Sequence, residues 1–175
     1  MKQTETYHEI TQLLRNFFLS KGFVEVPSQS RKSILAACEN PHSVATFTGQ
    51  MWLEYELLKN PDWKGCFCVS TSYRNEKDPI PGRHEKIFPM FEFESKGNFD
   101  DLRKLNIELA TYLGFDTPVQ LDYDETCEEY GGVEILEDEH ESRMWKELGH
   151  SISLETFPIR TSPFWNMKYI GDGKF

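Results

Sequence analysis

The chain is short of cysteine and shorter still of cysteine in useful places. Its four cysteines, Cys38, Cys66, Cys68 and Cys127, include no CxxC pair, and no nearby histidine completes a zinc-ligand spacing. Cys66 and Cys68, two apart in a strand-like stretch, read as small buried apolar side chains facing one side. Basic charge is also scarce. Nineteen Lys and Arg against 29 Asp and Glu leave a net charge of −10, concentrated late in "DYDETCEEY" and "EILEDEHE". That excludes a general binder of phosphate backbones, which needs basic patches, but leaves room for a local basic pocket. No apolar run is long enough to span a bilayer. The opening "MKQTETYHEI" reads as the start of a helix and not as a charged-then-apolar leader, so the expectation is a soluble, cytoplasmic protein. There is no internal repeat and no low-complexity linker. His8, His42 and His150 are isolated, with no spacing for a nucleophilic triad or zinc hydrolysis.

What is present is enough for a core. A length of 175 residues suits one domain, 1–175, able to bury roughly 70% of its unfolded surface. Thirteen Phe and seven Tyr supply large apolar side chains for it. In "TYHEITQLLRNFFLSKGF", Tyr7, Ile10, Leu13, Leu14, Phe17 and Phe18 line one helical face. Thr6 and Glu9 make a capping box at its start, and Gly22 ends it in a left-handed cap. "FVEV" is a short strand closed by Pro27. Residues 28–48 are weakly patterned loop, with a short helix around "SILAAC". "GQMWLEYELLKN" is helical. "GCFCVSTSYR" and "FPMFEFES" are strands joined through a long tip holding Pro79, Pro81 and Gly82. "NFDDLRKLNIELATYLGF" is a second amphipathic helix, with Leu102, Leu105, Leu109, Tyr112 and Leu113 on one face and Gly114 at its end. "LDYDETCEEYGG" and "EDEHESRMWKELG" are further helices, and "ISLETFPI" and "PFWNMKYI" are strands. Helices alternating with hairpin-connected strands predict an α/β (α+β) fold, a mostly antiparallel sheet flanked by helices.

The stretch "TSYRNEKDPIPGRHEKIFPMFEFE", residues 71–94, carries the chemistry. Arg74 and Glu76, two apart on a strand, share a face. A guanidinium fork matches phosphate or carboxylate oxygens, and a carboxylate beside it can accept from an exocyclic amine. Arg83 and His84 on the tip could fold over distal phosphates, and Phe88 on the return strand could stack on a base. These parts describe a clamp for a nucleoside triphosphate. The competing reading is a surface hairpin laced by ion pairs, each worth under about 1 kcal/mol.

"SYRNE" followed by "GRHEKIFPMFEFE" closely resembles motif 2 of the class II aminoacyl-tRNA synthetases, in the aspartyl, asparaginyl and lysyl subgroup. Arg74, Glu76, Arg83, His84, Phe88, Glu92 and Glu94 all fall in place, with order and spacing kept. The resemblance implies that Arg74, the catalytic residue, holds the α-phosphate and the amino-acid carboxylate. It implies that Glu76 contacts the adenine amine, that Phe88 stacks on the ring, and that Arg83 and His84 reach the outer phosphates. "ITQLLRNFFLSKGFVEV" looks like motif 1, which implies a homodimer through the helix and strand of residues 7–27. "ACENPHSVATFTGQMWLE" resembles the segment whose Glu and Gln bind the α-amino group, here Glu39 and Gln50, and Glu92 joins them as amino-acid-binding. The "TGQMWLE" wording is closest to the asparaginyl members. "EDEHESRMWKEL" and "FPIRTSPFWNMK" match the later part of the same core.

The chain departs from the pattern in three places. "PSQS" stands where the family has Thr-Pro after the motif 1 strand. Nothing precedes the helix that resembles an anticodon-binding domain, so a tRNA partner is not expected. No GxGxxR-like stretch of motif 3 is present, so the expectation is a core incomplete at its C-terminal end, with no metal ligand within it. The implied cofactors are ATP and Mg²⁺, the metal's ligands falling beyond Phe175. Three functions stay open: ATP-dependent activation of aspartate or asparagine to an aminoacyl-adenylate; an ammonia-dependent asparagine synthetase-like amide ligase; and a non-catalytic nucleotide- or amino-acid-binding paralogue or a fragment of a longer synthetase.

Overall fold

A computed structural model describes residues 2–28, 49–73, 77–78, 85–163 and 167–175. Within them the chain divides into two compact units, Met1–Leu102 and Arg103–Phe175.

The first unit opens with helix α1 (Lys2–Ser20), followed by β1 (Val24–Glu25), α2 (Gly49–Lys59), β2 (Gly65–Tyr73) and β3 (Ile87–Ser95). The three strands form one sheet in the order β1-β2-β3. β1 runs parallel to β2, and β2 pairs antiparallel with β3 through nine residue pairs, from Gly65↔Ser95 to Tyr73↔Ile87. The strand alternation in "GCFCVSTSY" and "IFPMFEFES" sorts side chains onto two faces. Phe67, Phe91 and Phe93 point to one face, where the fully buried Phe18 of α1 meets all three at ring-centroid distances of 5.8, 5.2 and 4.7 Å. Cys66 and Cys68 point to the other, where they pack with Leu53 and Leu57 of α2 and with Val26. The sheet is therefore sandwiched, aromatic under α1 and aliphatic under α2.

Gly22 ends α1 as expected. Its φ of +83° is left-handed, and the Phe23 N–H donates to the Phe18 carbonyl at 3.0 Å. The start differs from the expectation. The helix begins at Lys2, so Thr6 and Glu9 lie within it and not at its first turn. The apolar stripe is divided too. Phe17 and Phe18 are buried, whereas Tyr7, Ile10 and Leu13 are 43, 47 and 43% exposed.

Helix α3 (Phe99–Tyr112) contains the boundary between the units. Asn98 caps it, its side-chain oxygen accepting from the Asp100 and Asp101 N–H groups at 2.8 and 3.3 Å. No residue of α3 is buried, and Leu102 and Tyr112 of its apolar stripe are exposed.

The second unit contains β4 (Val119–Asp122), α4 (Tyr123–Glu129), α5 (Asp138–Leu148) and β5 (Ile152–Glu155), with β4 and β5 paired in parallel. Tyr123, Thr126, Cys127, Tyr130 and Met144 form its buried centre. Asp122 caps α4, accepting from the Asp124 and Glu125 N–H groups. The same carboxylate binds the Thr156 hydroxyl and Lys174, whose ammonium lies 3.1 Å from Asp122 and 3.2 Å from Asp124. Arg160 pairs with Asp124 at 2.5 Å and donates to the Glu134 carbonyl at 2.8 Å. This network ties the terminal turn to α4. β4 was not anticipated from the sequence. The strand expected over "PFWNMKYI" is absent from its described residues, 163 and 167–170, while residues 164–166 lie outside the described residues.

The longest ladder is antiparallel, and five α-helices accompany the sheets among the described residues, so the α/β class with a mostly antiparallel sheet holds.

Candidate functional site

The β2–β3 hairpin places part of the expected clamp. In an antiparallel ladder, directly paired residues point to the same face, and every second residue joins them. The pairs Cys66↔Glu94, Cys68↔Glu92, Ser70↔Met90 and Ser72↔Phe88 therefore set Phe88, Glu92 and Glu94 on one face of β3. It is the face on which α2 packs. Phe88 and Glu92 are four residues apart, roughly 13 Å along the strand at the usual rise.

Glu92 is a buried carboxylate at 9% exposure. The Ser70 hydroxyl donates to its Oε2 at 2.7 Å. Glu94 is partly buried, and that burial, with the negative charge of Glu54 on α2, raises its carboxyl above the usual carboxylate range. The same acidity acts on the thiols. Burial and then Glu94 and Glu56 push Cys66 up to about 11, and burial and then Glu92 push Cys68 up to about 12. Both stay neutral and unreactive at pH 7, as their reading as small core residues requires. Cys127 is buried and free as well.

Among the residues expected at the site, Phe88 and Glu92 lie on this common face, and Gln50 is the second residue of α2. Arg74, Glu76, Arg83, His84 and Glu39 lie outside the described residues. Ser70 was not singled out from the sequence. Ser70 follows Cys66 and Cys68 at strand spacing, so its place on their face was readable, but its partner is fixed only by the pairing of β2 with β3.

No group of three or more His, Cys, Asp or Glu among the described residues is arranged to hold a metal ion. Glu92 and Glu94, separated along one strand, do not fit Mg²⁺ as a ligand set, and no step here is assigned to a metal.

Solved structures give the arrangement its context. Asparaginyl-tRNA synthetase from Pyrococcus horikoshii, complexed with asparaginyl-adenylate, matches 98% of this chain with a TM-score of 0.73 at 15% identity. The chain has the fold of a class II aminoacyl-tRNA synthetase core. Asparaginyl-tRNA synthetase from Entamoeba histolytica, in complex with asparaginyl-adenylate, matches 87% at a TM-score of 0.63 and 17% identity. Aspartyl-tRNA synthetase from the same organism matches 94% at 0.63 and 18% identity. The chain spans less than half of each structure, 48, 43 and 39% respectively. No protein-family model and no curated protein sequence matches it. Among the described residues no helix is long and apolar enough to cross a membrane.

Proposed function

We propose that this chain, one partial catalytic-core domain over 1–175, binds ATP and aspartate or asparagine in the manner of an asparaginyl- or aspartyl-tRNA synthetase and supports formation of the aminoacyl-adenylate. The observation that carries the reading is the shared face of Phe88 and Glu92 within a synthetase fold. Their separation suits an extended aminoacyl-adenylate, with the base against Phe88 and the amino acid toward Glu92. Arg74 is assigned to the α-phosphate and the amino-acid carboxylate, Glu76 to the adenine amine, and Arg83 and His84 to the outer phosphates. Glu39, Gln50 and Glu92 are assigned to the amino acid. The reaction is attack of the amino-acid carboxylate on the α-phosphorus. A carboxyl–phosphate bond forms, the α–β phosphoanhydride breaks, and pyrophosphate leaves. A guanidinium at the α-phosphate stabilises charge where it develops. Mg²⁺, which such chemistry ordinarily uses, finds no ligand set among the described residues.

A homodimer through residues 7–27 belongs to the same proposal. Tyr7, Ile10 and Leu13 form an exposed apolar stripe on α1, and such a stripe is a surface for burial by a partner. The location assigned is the cytoplasm, and no tRNA partner is assigned.

ATP–pyrophosphate exchange, run with aspartate and then with asparagine, tests the reading. Exchange that depends on one of the two and is lost in Arg74→Ala supports it. Exchange unchanged in Arg74→Ala refutes it. Binding of ATP and amino acid without any exchange selects the non-catalytic paralogue. Exchange with aspartate alone, followed by ammonia-dependent release of asparagine, selects the amide ligase.

A further inference from the structure

We infer that Ser70 is a positioning residue for the amino-acid pocket: its hydroxyl fixes the carboxylate of Glu92 in the orientation that receives the substrate ammonium. The inference rests on the assignment of Glu92 to the amino acid. Ser70 stands on β2 two pairs beyond Cys68, which is directly opposite Glu92, so serine and glutamate are same-face diagonal neighbours across the ladder. The hydroxyl reaches Oε2 at 2.7 Å, a full-strength bond to a charged acceptor.

Three features make this bond more than surface decoration. Glu92 is almost fully withdrawn from water, so its orientation is set by protein groups and not averaged by solvent. Both partners sit within the longest ladder of the protein, and strands hold a geometry more tightly than loops do. The positions before Ser70 on its face, Cys66 and Cys68, are buried thiols. A hydroxyl in third place is the first group along that row suited to donate strongly to a carboxylate. The bond to Oε2 helps to set the plane of the carboxylate that is to receive the ammonium.

The test compares two non-hydrolysable asparaginyl-adenylate analogues, one with the α-amino group and one without it, by calorimetry on the full chain. The wild type is expected to prefer the amino analogue. Ser70→Ala is expected to shrink that preference about three- to tenfold, the range one such hydrogen bond commands, and to leave affinity for the des-amino analogue unchanged. Ser70→Thr, which keeps the hydroxyl, is expected to restore the preference. Glu92→Gln separates the two levels of inference. If Glu92→Gln removes the preference and Ser70→Ala does not, the role of Ser70 is wrong. If Glu92→Gln leaves the preference intact, the assignment of Glu92 is wrong, and that of Ser70 falls with it. Equal loss of both analogues in Ser70→Ala would show a merely structural serine and overturn the inference.

Discussion

Phe18 of α1 stacks over Phe91 of β3, ring centroids 5.2 Å apart and planes inclined by 27°. Phe18 is fully buried and also touches Phe67, Phe93, Phe17 and Phe23. It is the pin that holds the helix to the sheet carrying the candidate site. Phe18→Ala is expected to cost about 3–5 kcal/mol, and Phe18→Leu under about 2. Urea titration followed by far-ultraviolet circular dichroism measures both. A Phe18→Ala cost below 1 kcal/mol would show that α1 is held elsewhere.

Gly65 opens β2 where a side chain has no room. A Cβ there would stand 2.3 Å from the Phe23 ring and 2.7 Å from the Glu94 carbonyl oxygen. Gly65→Ala is therefore expected to destabilise by about 1–3 kcal/mol, the usual range for overpacking. Thermal melting checks it, and an unchanged midpoint would contradict the packing described.

Asp122 is expected to give the protein acid-sensitive stability. Desolvation alone would raise its carboxyl, but the Thr156 hydroxyl, the Glu125 N–H and Lys174 together hold it down at about 2. A lowered carboxylate stabilises the fold above its unfolded value, near 3.8, and that contribution disappears as the pH falls through about 2. Asp122→Asn is expected to lose about 2 kcal/mol at pH 7 and to converge with the wild type near pH 2. Denaturant midpoints across this range measure the difference. A constant gap from pH 7 to pH 2 would contradict the assignment.

Glu94 has the opposite sign. Its raised carboxyl favours the folded state below the unfolded value, and the benefit is lost as pH rises through the folded value. At neutral pH its charge opposes folding beside Glu54. Glu94→Gln is expected to raise the melting midpoint at pH 7 and to change it little at low pH.

Exposed Tyr7, Ile10 and Leu13 lead to a fifth expectation. If they seat a second copy, light scattering gives a dimer for the wild type and a monomer for Ile10→Asp, with the same secondary structure in both. A wild-type monomer at high concentration would remove the dimer from the proposal.

Much of this architecture was readable from local pattern. The period of "ITQLLRNFFLS", Gly22 after it, and the alternation of "GCFCVSTSY" and "FPMFEFES" are local signals, and each element formed where they pointed. The failures share one cause. β4 has only four residues, half of them exposed, and becomes a strand through its parallel partner β5, which begins 30 residues after β4 ends. Thr6 and Glu9 have capping-box spacing, yet helical residues from Lys2 onward carry the chain past them. The stripes on α1 and α3 have the right period for burial, but periodicity does not say how much of a stripe finds a neighbour. At the site, the common face of Phe88 and Glu92 follows from strand alternation alone. The bond from Ser70 required the register between two strands, which spacing along the chain does not reveal.

The most direct test is calorimetric titration of the full chain with the non-hydrolysable asparaginyl-adenylate analogue, beside Arg74→Ala and Phe88→Ala. One site per chain is predicted, weakened at least about tenfold by either substitution, as expected for loss of a charged phosphate contact or a base-stacking ring. No binding by the wild type, or binding indifferent to both substitutions, would contradict an adenylate cradle on this face of the hairpin.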